Sequence, residues 1–520
     1  MPNVDFSWNG KKIPTKETSF IISDIELLYP DGSFNHEDRK NRIIHGDNLE
    51  VLRALRKELE EDIDLIYIDP PFATGDRFKY SIEIGEDGKA NIENIEAIEK
   101  SAYNDSWKDG LSSYLKMLYE RLILMKDLIS DTGSIFIHLD WHVSHYVKIL
   151  MDEIFGKKNF RSEIIWQRTG GHHLSSKNMD VMTDTILWYS KSDEYTYHQP
   201  YQALTDEEIR EKFPYVEEET GRRYTHEKLE QSSNSYSKGE ERVIQGRRVV
   251  TNLGWRWTQK TFDERLKKNP DLIYWTENGR PRYKRYADEY KGRKIGNLWN
   301  DIQALTSNQT ERVAFNYPTQ KPESLLERII KMASNEGDLV VDIFAGSGTT
   351  GAVSEKLNRR WIVSDSSLIA IHTAKKRLLD LGGYSANCDI QSGAFYLQRV
   401  TDNNLNLRVN DGKIGVDYKI DPPHLEITLK KFEFDEIDEI PEKLVDSIRH
   451  TTDYVDYWAI DFDYRGLPMI PSFFSFRTGK SRNLQTKATH HYTGNGEKVI
   501  LIQVIDVFGS ILYKKMKVKI

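Results

Sequence analysis

Short, mostly apolar runs alternate with stretches whose apolar residues recur every three to four positions, and this alternation organises the first 195 residues. The run Leu65-Ile66-Tyr67-Ile68, with Ile63 before it, has the continuous apolar character of a parallel strand covered on both faces. Asp69-Pro70-Pro71-Phe72 ends it, because neither proline can donate a ladder hydrogen bond. A strand is predicted over residues 42–46, followed by a helix that Asp47 can cap and that carries Leu49, Leu52 and Leu55. Leu111, Leu115, Leu118, Leu122, Met125 and Ile129 mark a longer helix. A strand over 133–139, helical spacing over 142–155 and strands over 163–166 and 185–189 complete this half.

The same alternation resumes near Pro318. Leu325, Leu326, Ile329, Ile330 and Ala333 predict a helix within 321–334, and 338–344 and 361–365 read as buried strands. Strands and helices alternating in this way mean a doubly wound α/β domain. Outside it the pattern changes. Residues 1–40 carry turn formers with little periodicity and are expected to form an irregular arm, and residues 73–109 are expected to form a polar loop over the corner at Asp69. Beyond about residue 400 the alternating stretches 425–429, 457–462 and 512–520 predict an all-β module.

Charge changes the reading of the middle. The chain of 520 residues has a net charge of −8, yet residues 241–300 hold 15 Lys and Arg against 7 Asp and Glu. Trp255, Trp257, Phe262, Tyr274, Trp275, Tyr283, Tyr286, Tyr290 and Trp299 are interleaved with those cations, a mixture suited to phosphate contacts and base stacking. Cys388 is the only cysteine, which excludes an internal disulfide, and its sequence context shows no thiolate site for covalent attack on a pyrimidine. No apolar run approaches the roughly 18 residues of a membrane span, and the N-terminal residues lack a secretory core, so a cytoplasmic chain is expected.

Two segments carry chemistry. Asp69 and the Pro70 carbonyl can accept the two hydrogens of an exocyclic amino group, while Phe72 offers a ring to the heterocycle bearing it. A second Asp-Pro-Pro, at Asp421, is followed by His424 rather than by Phe, Tyr or Trp. The stretch from Asp342 through Phe344, Gly346, Gly348 and Thr349 to Gly351 joins a strand to a helix by glycines that admit a ligand, and Asp365 ends the next strand where ribose hydroxyls are gripped. Gly346, Gly348 and Gly351 also fit a dinucleotide fingerprint, so this segment alone leaves NAD and other nucleosides open. His138, His142 and His145 lack a carboxylate at ligand spacing, and no metal site is expected.

These motifs, in this order, resemble the permuted amino-directed DNA methyltransferases of the β class. The residues that carry the likeness are Gly46-Asp47-Asn48-Leu49, Asp69 to Phe72, the strand ending at Leu139, Pro318-Thr319-Gln320-Lys321-Pro322 and Asp342 to Gly348, while Asp152 to Gly156 and Asn159-Phe160 resemble type III modification subunits. The resemblance implies a Rossmann-like S-adenosylmethionine-dependent methyltransferase fold, circularly permuted, with an inserted DNA-recognition region and a C-terminal all-β module. The domains expected are an arm (1–40), a catalytic half (41–195), a target-recognition region (196–310), a cofactor-binding half (311–395) and a β-rich domain (396–520).

It also implies that Asp69, Pro70, Pro71 and Phe72 hold a flipped adenine, and that Asp342, Phe344, Gly346, Gly348 and Thr349 form the S-adenosylmethionine site. Asp365 would take the ribose, Asp47 the adenine end and Lys321 the methionine carboxylate. Ser364-Asp365 replaces the family's commoner glycine–glutamate pair, and Phe72 its tyrosine. The partners implied are double-stranded DNA, with a homodimer and a restriction or other defence subunit as candidates, and no membrane. Cytosine N4 is the alternative acceptor, although aspartate at position 69 leans toward adenine, and a non-catalytic DNA-binding subunit is the alternative class.

Overall fold

The apolar runs become the strands of a ten-stranded sheet. The computed structural model describes residues 6–8, 10–29, 41–71, 82–85, 88–90, 110–170, 179–231, 237–306, 309–381, 393–402, 407, 409, 412–433 and 450–520. In chain order the sheet strands are β1 (Ile21–Leu28), β2 (Asn41–His45), β3 (Ile63–Ile68), β4 (Ile129–Leu139), β5 (Phe160–Gln167), β6 (Thr183–Ser190), β7 (Leu298–Trp299), β8 (Leu339–Asp342), β9 (Arg360–Asp365) and β10 (Phe395–Thr401). In space they run β1-β10-β2-β9-β8-β3-β4-β6-β5-β7. The six from β10 to β4 are parallel, and β6 enters antiparallel between β4 and β5.

Helices cover both faces, as the double winding requires. Along the chain they are α1 (Asn48–Leu55), α2 (Leu111–Leu128), α3 (Ser144–Met151), α4 (Glu323–Ala333), α5 (Thr349–Lys356) and α6 (Leu368–Leu379). Leu52, Leu118, Leu122 and Val147, from α1, α2 and α3, share one core with Ile66, Ile68, Ile135 and Ile137. Ile371 and Leu378 of α6 pack with Ile43, Trp361 and Val363 in a second.

The strand order produces the site. After β3 the chain moves through α2 to β4 on one side, and after β8 it moves through α5 to β9 on the other. A crevice therefore opens beyond the carboxyl ends of β3 and β8, where the winding reverses. Val340 pairs with Leu65 and Val341 with Ile66, so two segments remote in sequence become sheet neighbours.

Several expectations change. The arm is not irregular throughout, because Ile21–Leu28 forms edge strand β1, paired antiparallel with β10. Asp24 and Glu26 interrupt its apolar pattern, and Glu26 is nevertheless fully buried against Lys375. Strand β4 starts at Ile129, directly from α2, rather than at 133. Most of the expected loop 73–109 lies outside the described residues, but Ile82–Ile84 pairs antiparallel with Gly88–Ala90. The second Asp-Pro-Pro is a two-residue hairpin turn in which Asp421 faces His424 across the ladder.

Residues 199–296 form a compact unit of their own, and the remainder, including the C-terminal β region, forms the other. The smaller unit is built on a four-stranded antiparallel sheet with the core Leu229, Ile244, Trp255, Phe262 and Ile273. In the larger unit the C-terminal strands make a three-stranded and a four-stranded sheet. They are bound to α6 by polar links, Lys375 to Gln503 and Asp456 to His372 and Lys376, while Lys375 also meets Glu26 of β1.

Candidate active site

Asp69 leaves β3 at the crevice. Its Oδ2 is paired with the ammonium of Lys321, and its Oδ1 is buried without a hydrogen-bond partner among the described residues. Pro70 is buried beside it, and Phe72 lies outside the described residues. A buried polar chain stands beneath the corner. Tyr67 Oη meets His138 Nδ1 at 3.0 Å, His138 Nε2 meets Asp184 Oδ2 at 3.2 Å, and Arg168 Nε lies 3.3 Å from Asp184 Oδ1. Burial pushes the Asp184 carboxyl up, but its bond to His138 and the charges of His138, Arg168 and Lys321 outweigh this and hold it below the usual range. Both ring nitrogens of His138 are engaged here, and no cluster of three or more His, Cys, Asp and Glu suited to a metal occurs among the described residues.

Strand β8 ends one position over. Asp342 is buried at its tip, with Oδ1 accepting from Phe344 N at 2.9 Å and Oδ2 from Thr350 Oγ1 at 2.6 Å. Burial pushes its carboxyl up to about 7 despite those bonds. Asp342 therefore shapes the glycine turn from behind. Asp365, from β9, holds the turn at its front, with Oδ2 accepting from Gly346 N and Oδ1 from Ser367 N, both at 2.9 Å.

The turn passes close to its neighbours. Gly348 has φ +75°, and a Cβ there would lie 2.7 Å from Ala374 Cβ on α6. Gly346 has φ +50°, and a Cβ there would lie 3.3 Å from the Tyr317 ring. A side chain at Gly348 would collide with α6 and one at Gly346 would crowd Tyr317, and a turn so bare of side chains fits a nucleoside approached by backbone. Thr349, expected to line this cradle, accepts at Oγ1 from Arg377 Nη1 at 2.7 Å, and the same Nη1 lies 3.2 Å from Ser347 Oγ. The other arm of Arg377 lies 3.3 Å from Glu311 Oε1 and 3.5 Å from Glu323 Oε1. Lys321, expected at a methionine carboxylate, stands on Asp69.

Asp47 caps α1 through Leu49 N at 2.9 Å and pairs with Arg121 at 3.2 Å, while Asn48 Nδ2 donates to Ile343 O at 3.2 Å. This places the start of α1 beside the exit of β8. Sequence reading missed Tyr67, Asp184, Glu311 and Arg377 as site residues. Each works through a partner distant in sequence, and no local spacing marks it.

In the smaller unit the sheet strands Tyr215–Val216, Arg223–Lys228, Pro281–Tyr286 and Ile273–Trp275 have two unlike faces. Ile273, Trp275 and Tyr283 turn to the core. On the other face the rings of Tyr215, His226 and Tyr274 stack in series, with centroids 4.4 and 3.8 Å apart. Burial, with the charges of Arg282 and Lys284, holds the His226 imidazole below its usual range and therefore uncharged near neutrality. Tyr215 and Tyr274 are 47% and 38% exposed, so the stack presents flat rings among cations. The pair His172-His173 lies outside the described residues.

Known proteins place these features in a common frame. The family described as DNA methylase matches residues 63–376. The type II methyltransferase M.EcaI of Enterobacter cloacae is 29% identical over 337 residues, 65% of this chain and 69% of that protein. The StyLTI Mod subunit, from a type III restriction-modification enzyme of Salmonella typhimurium, is 28% identical over 371 residues, 67% of this chain and 54% of that protein. The chain thus spans about half the length of that subunit. Among solved structures, the M1.HpyAVI-SAM complex is 16% identical, with 65% of this chain and 98% of that one covered and a TM-score of 0.34. PvuII DNA methyltransferase (cytosine-N4-specific) is 17% identical, with 65% and 86% covered and the same TM-score of 0.34. The fold assignment stands on the strand order of the chain itself.

Proposed function

This chain belongs to the DNA methylase family, and from that premise we propose that it transfers a methyl group from S-adenosylmethionine to N6 of an adenine flipped out of double-stranded DNA. The observation that carries the reading is the pairing of β3 with β8, which sets the amino-accepting corner at Asp69 directly beside the glycine turn. S-adenosylmethionine supplies an electrophilic sulfonium methyl. The glycine turn meets it through backbone, and Asp365 and Asp47 are the acids for its ribose and adenine ends.

An adenine N6 is a poor nucleophile because its lone pair is delocalised into the ring. Asp69 and the Pro70 carbonyl, accepting its two hydrogens, favour a pyramidal nitrogen and so stabilise the geometry of transfer over that of the resting base. The unpartnered Oδ1 of Asp69 supports this role, since a buried carboxylate oxygen without a donor is costly unless a ligand supplies one. Flipping the base costs a few kcal/mol. Phosphate contacts and ring stacking on the basic unit offset that cost. Aspartate rather than serine at position 69 supports adenine over cytosine N4. Likeness to Mod subunits supports a modification component of a restriction-modification or phage-defence system, acting in the cytoplasm.

The test is to express the chain in an unmethylated host, digest its DNA to nucleosides and weigh them. N6-methyladenine is expected. N4-methylcytosine would replace the acceptor, and no modified nucleoside would favour a non-catalytic DNA-binding subunit.

A further inference from the structure

Trp141 stands where packing gives an indole no reason to be. Strand β4 runs parallel to β3 in a register that pairs Ile68 with Ile137. Continued past the sheet, this register sets Asp69 level with His138 and Pro71 level with Asp140. Trp141 comes next, and it is 56% exposed. Aromatic side chains usually bury most of their surface, so a bare indole just past the carboxyl end of β4 calls for a partner.

The ring is also held in place. It stacks on His142 with centroids 3.7 Å apart and planes 29° from parallel. His142 is fixed twice by Asp140: its backbone N–H donates to Oδ1 at 3.1 Å, and its ring Nδ1 meets Oδ2. Asp140 is itself buried, and its carbonyl accepts from Ser144 N at 3.1 Å as α3 begins. Burial pushes the Tyr114 phenol up, and the charges of Asp140 and Asp69 push it further.

We propose that Trp141 is an aromatic wall of the pocket that receives the target base, stacking on the heterocycle whose amino group Asp69 accepts, with His142 as its backing ring. This rests on the methyltransferase reading above. Every base has a π face, so the wall adds affinity and orientation without choosing the sequence. An indole already held by its neighbours loses little freedom on binding, which favours its use at a site that must hold a base still during transfer.

The experiment uses the full-length chain, plasmid DNA from an unmethylated host and tritium-labelled S-adenosylmethionine. Trp141→Ala is expected to lose about tenfold to a hundredfold in kcat/KM for DNA while calorimetry shows unchanged S-adenosylmethionine affinity. Trp141→Phe is expected to recover to within about threefold of wild type, because a smaller ring still stacks, and His142→Ala should fall between them. A structural role would not distinguish Phe from Ala at an exposed position while leaving cofactor binding intact. Trp141→Ala with wild-type kcat/KM overturns the proposal while the methyltransferase reading stands. A wild-type chain that binds S-adenosylmethionine but transfers nothing to any DNA overturns both.

Discussion

The ammonium of Lys321 closes on the carboxylate of Asp69 across 252 residues of chain. The pair joins the turn before α4 to the exit of β3, and so couples the segment that leads into the glycine turn with the corner expected to hold the base. Only Oδ2 is taken. The other oxygen has no hydrogen-bond partner among the described residues, so on the proposed reading it is left to accept an incoming N–H.

Asp69→Asn preserves shape but puts a donor where an acceptor is needed. A loss of about a hundredfold to a thousandfold in transfer rate is expected, with S-adenosylmethionine binding retained. Filter-bound tritium transfer and calorimetry measure the two quantities, and a mutant that transfers at the wild-type rate would remove Asp69 from the mechanism.

Arg377→Met removes a guanidinium that is 1% exposed, takes the cation from Glu311 and leaves Glu323 to Lys356 alone. Stripping one partner from a buried ionic cluster costs about 3–5 kcal/mol, so thermal melts should show a substantial drop in Tm. Because Ser347 and Thr349 lose their donor as well, S-adenosylmethionine affinity should fall with it. A variant that melts and binds as wild type does would show that the glycine turn needs no support from behind.

On the smaller unit, Tyr274→Ala breaks the series of stacked rings and Arg282→Ala removes an adjacent cation. Both are expected to weaken DNA binding about fivefold to a hundredfold without changing S-adenosylmethionine affinity. Arg282→Ala should also flatten the dependence of DNA affinity on salt, by about one unit of slope for one lost phosphate contact. Fluorescence anisotropy with duplex DNA at several salt concentrations reads both effects. Unchanged anisotropy curves would assign the face another role.

Stability should also depend on pH in a way set by Asp342. Its carboxyl rises to about 7 in the fold from a usual 3.8, so the folded chain holds that proton more firmly than the unfolded one. The corresponding stabilisation is complete below about pH 4 and is lost as pH climbs to about 7. Asp506, also raised to about 7 by burial, acts in the same direction. Asp342→Asn carries no charge at any pH and should remove its share, on the order of a few kcal/mol, from the change in stability between pH 4 and 7. Melts of both proteins across that range test the claim, and parallel curves would refute it.

The parallel core was legible because strands buried on both faces must be apolar throughout. Ile63 to Ile68 and the run ending at Asp342 announced themselves in this way, and the glycines marked the turn by what they lack. Edge strand β1 was not legible, since Glu26 is buried only because Lys375 meets it from α6. Arg377 and Asp184 share that obscurity. A buried charge is tolerated through a partner far along the chain, and neither sequence carries any trace of the other. Thr349 was placed by its neighbours in the motif, yet its hydroxyl answers to Arg377.

The smaller unit leaves the larger at His198 and returns to it at Asn297, and both ends are fastened within the larger one: His198 N donates to Met332 O at 2.8 Å, and Asn297 O accepts from Ile165 N at 2.8 Å. Residues 199–296 are therefore a cassette spliced between two anchored ends. Asp69 and the glycine turn lie wholly outside this cassette. On the proposed reading, exchanging the cassette would change the DNA that is read and leave the residues of transfer in place.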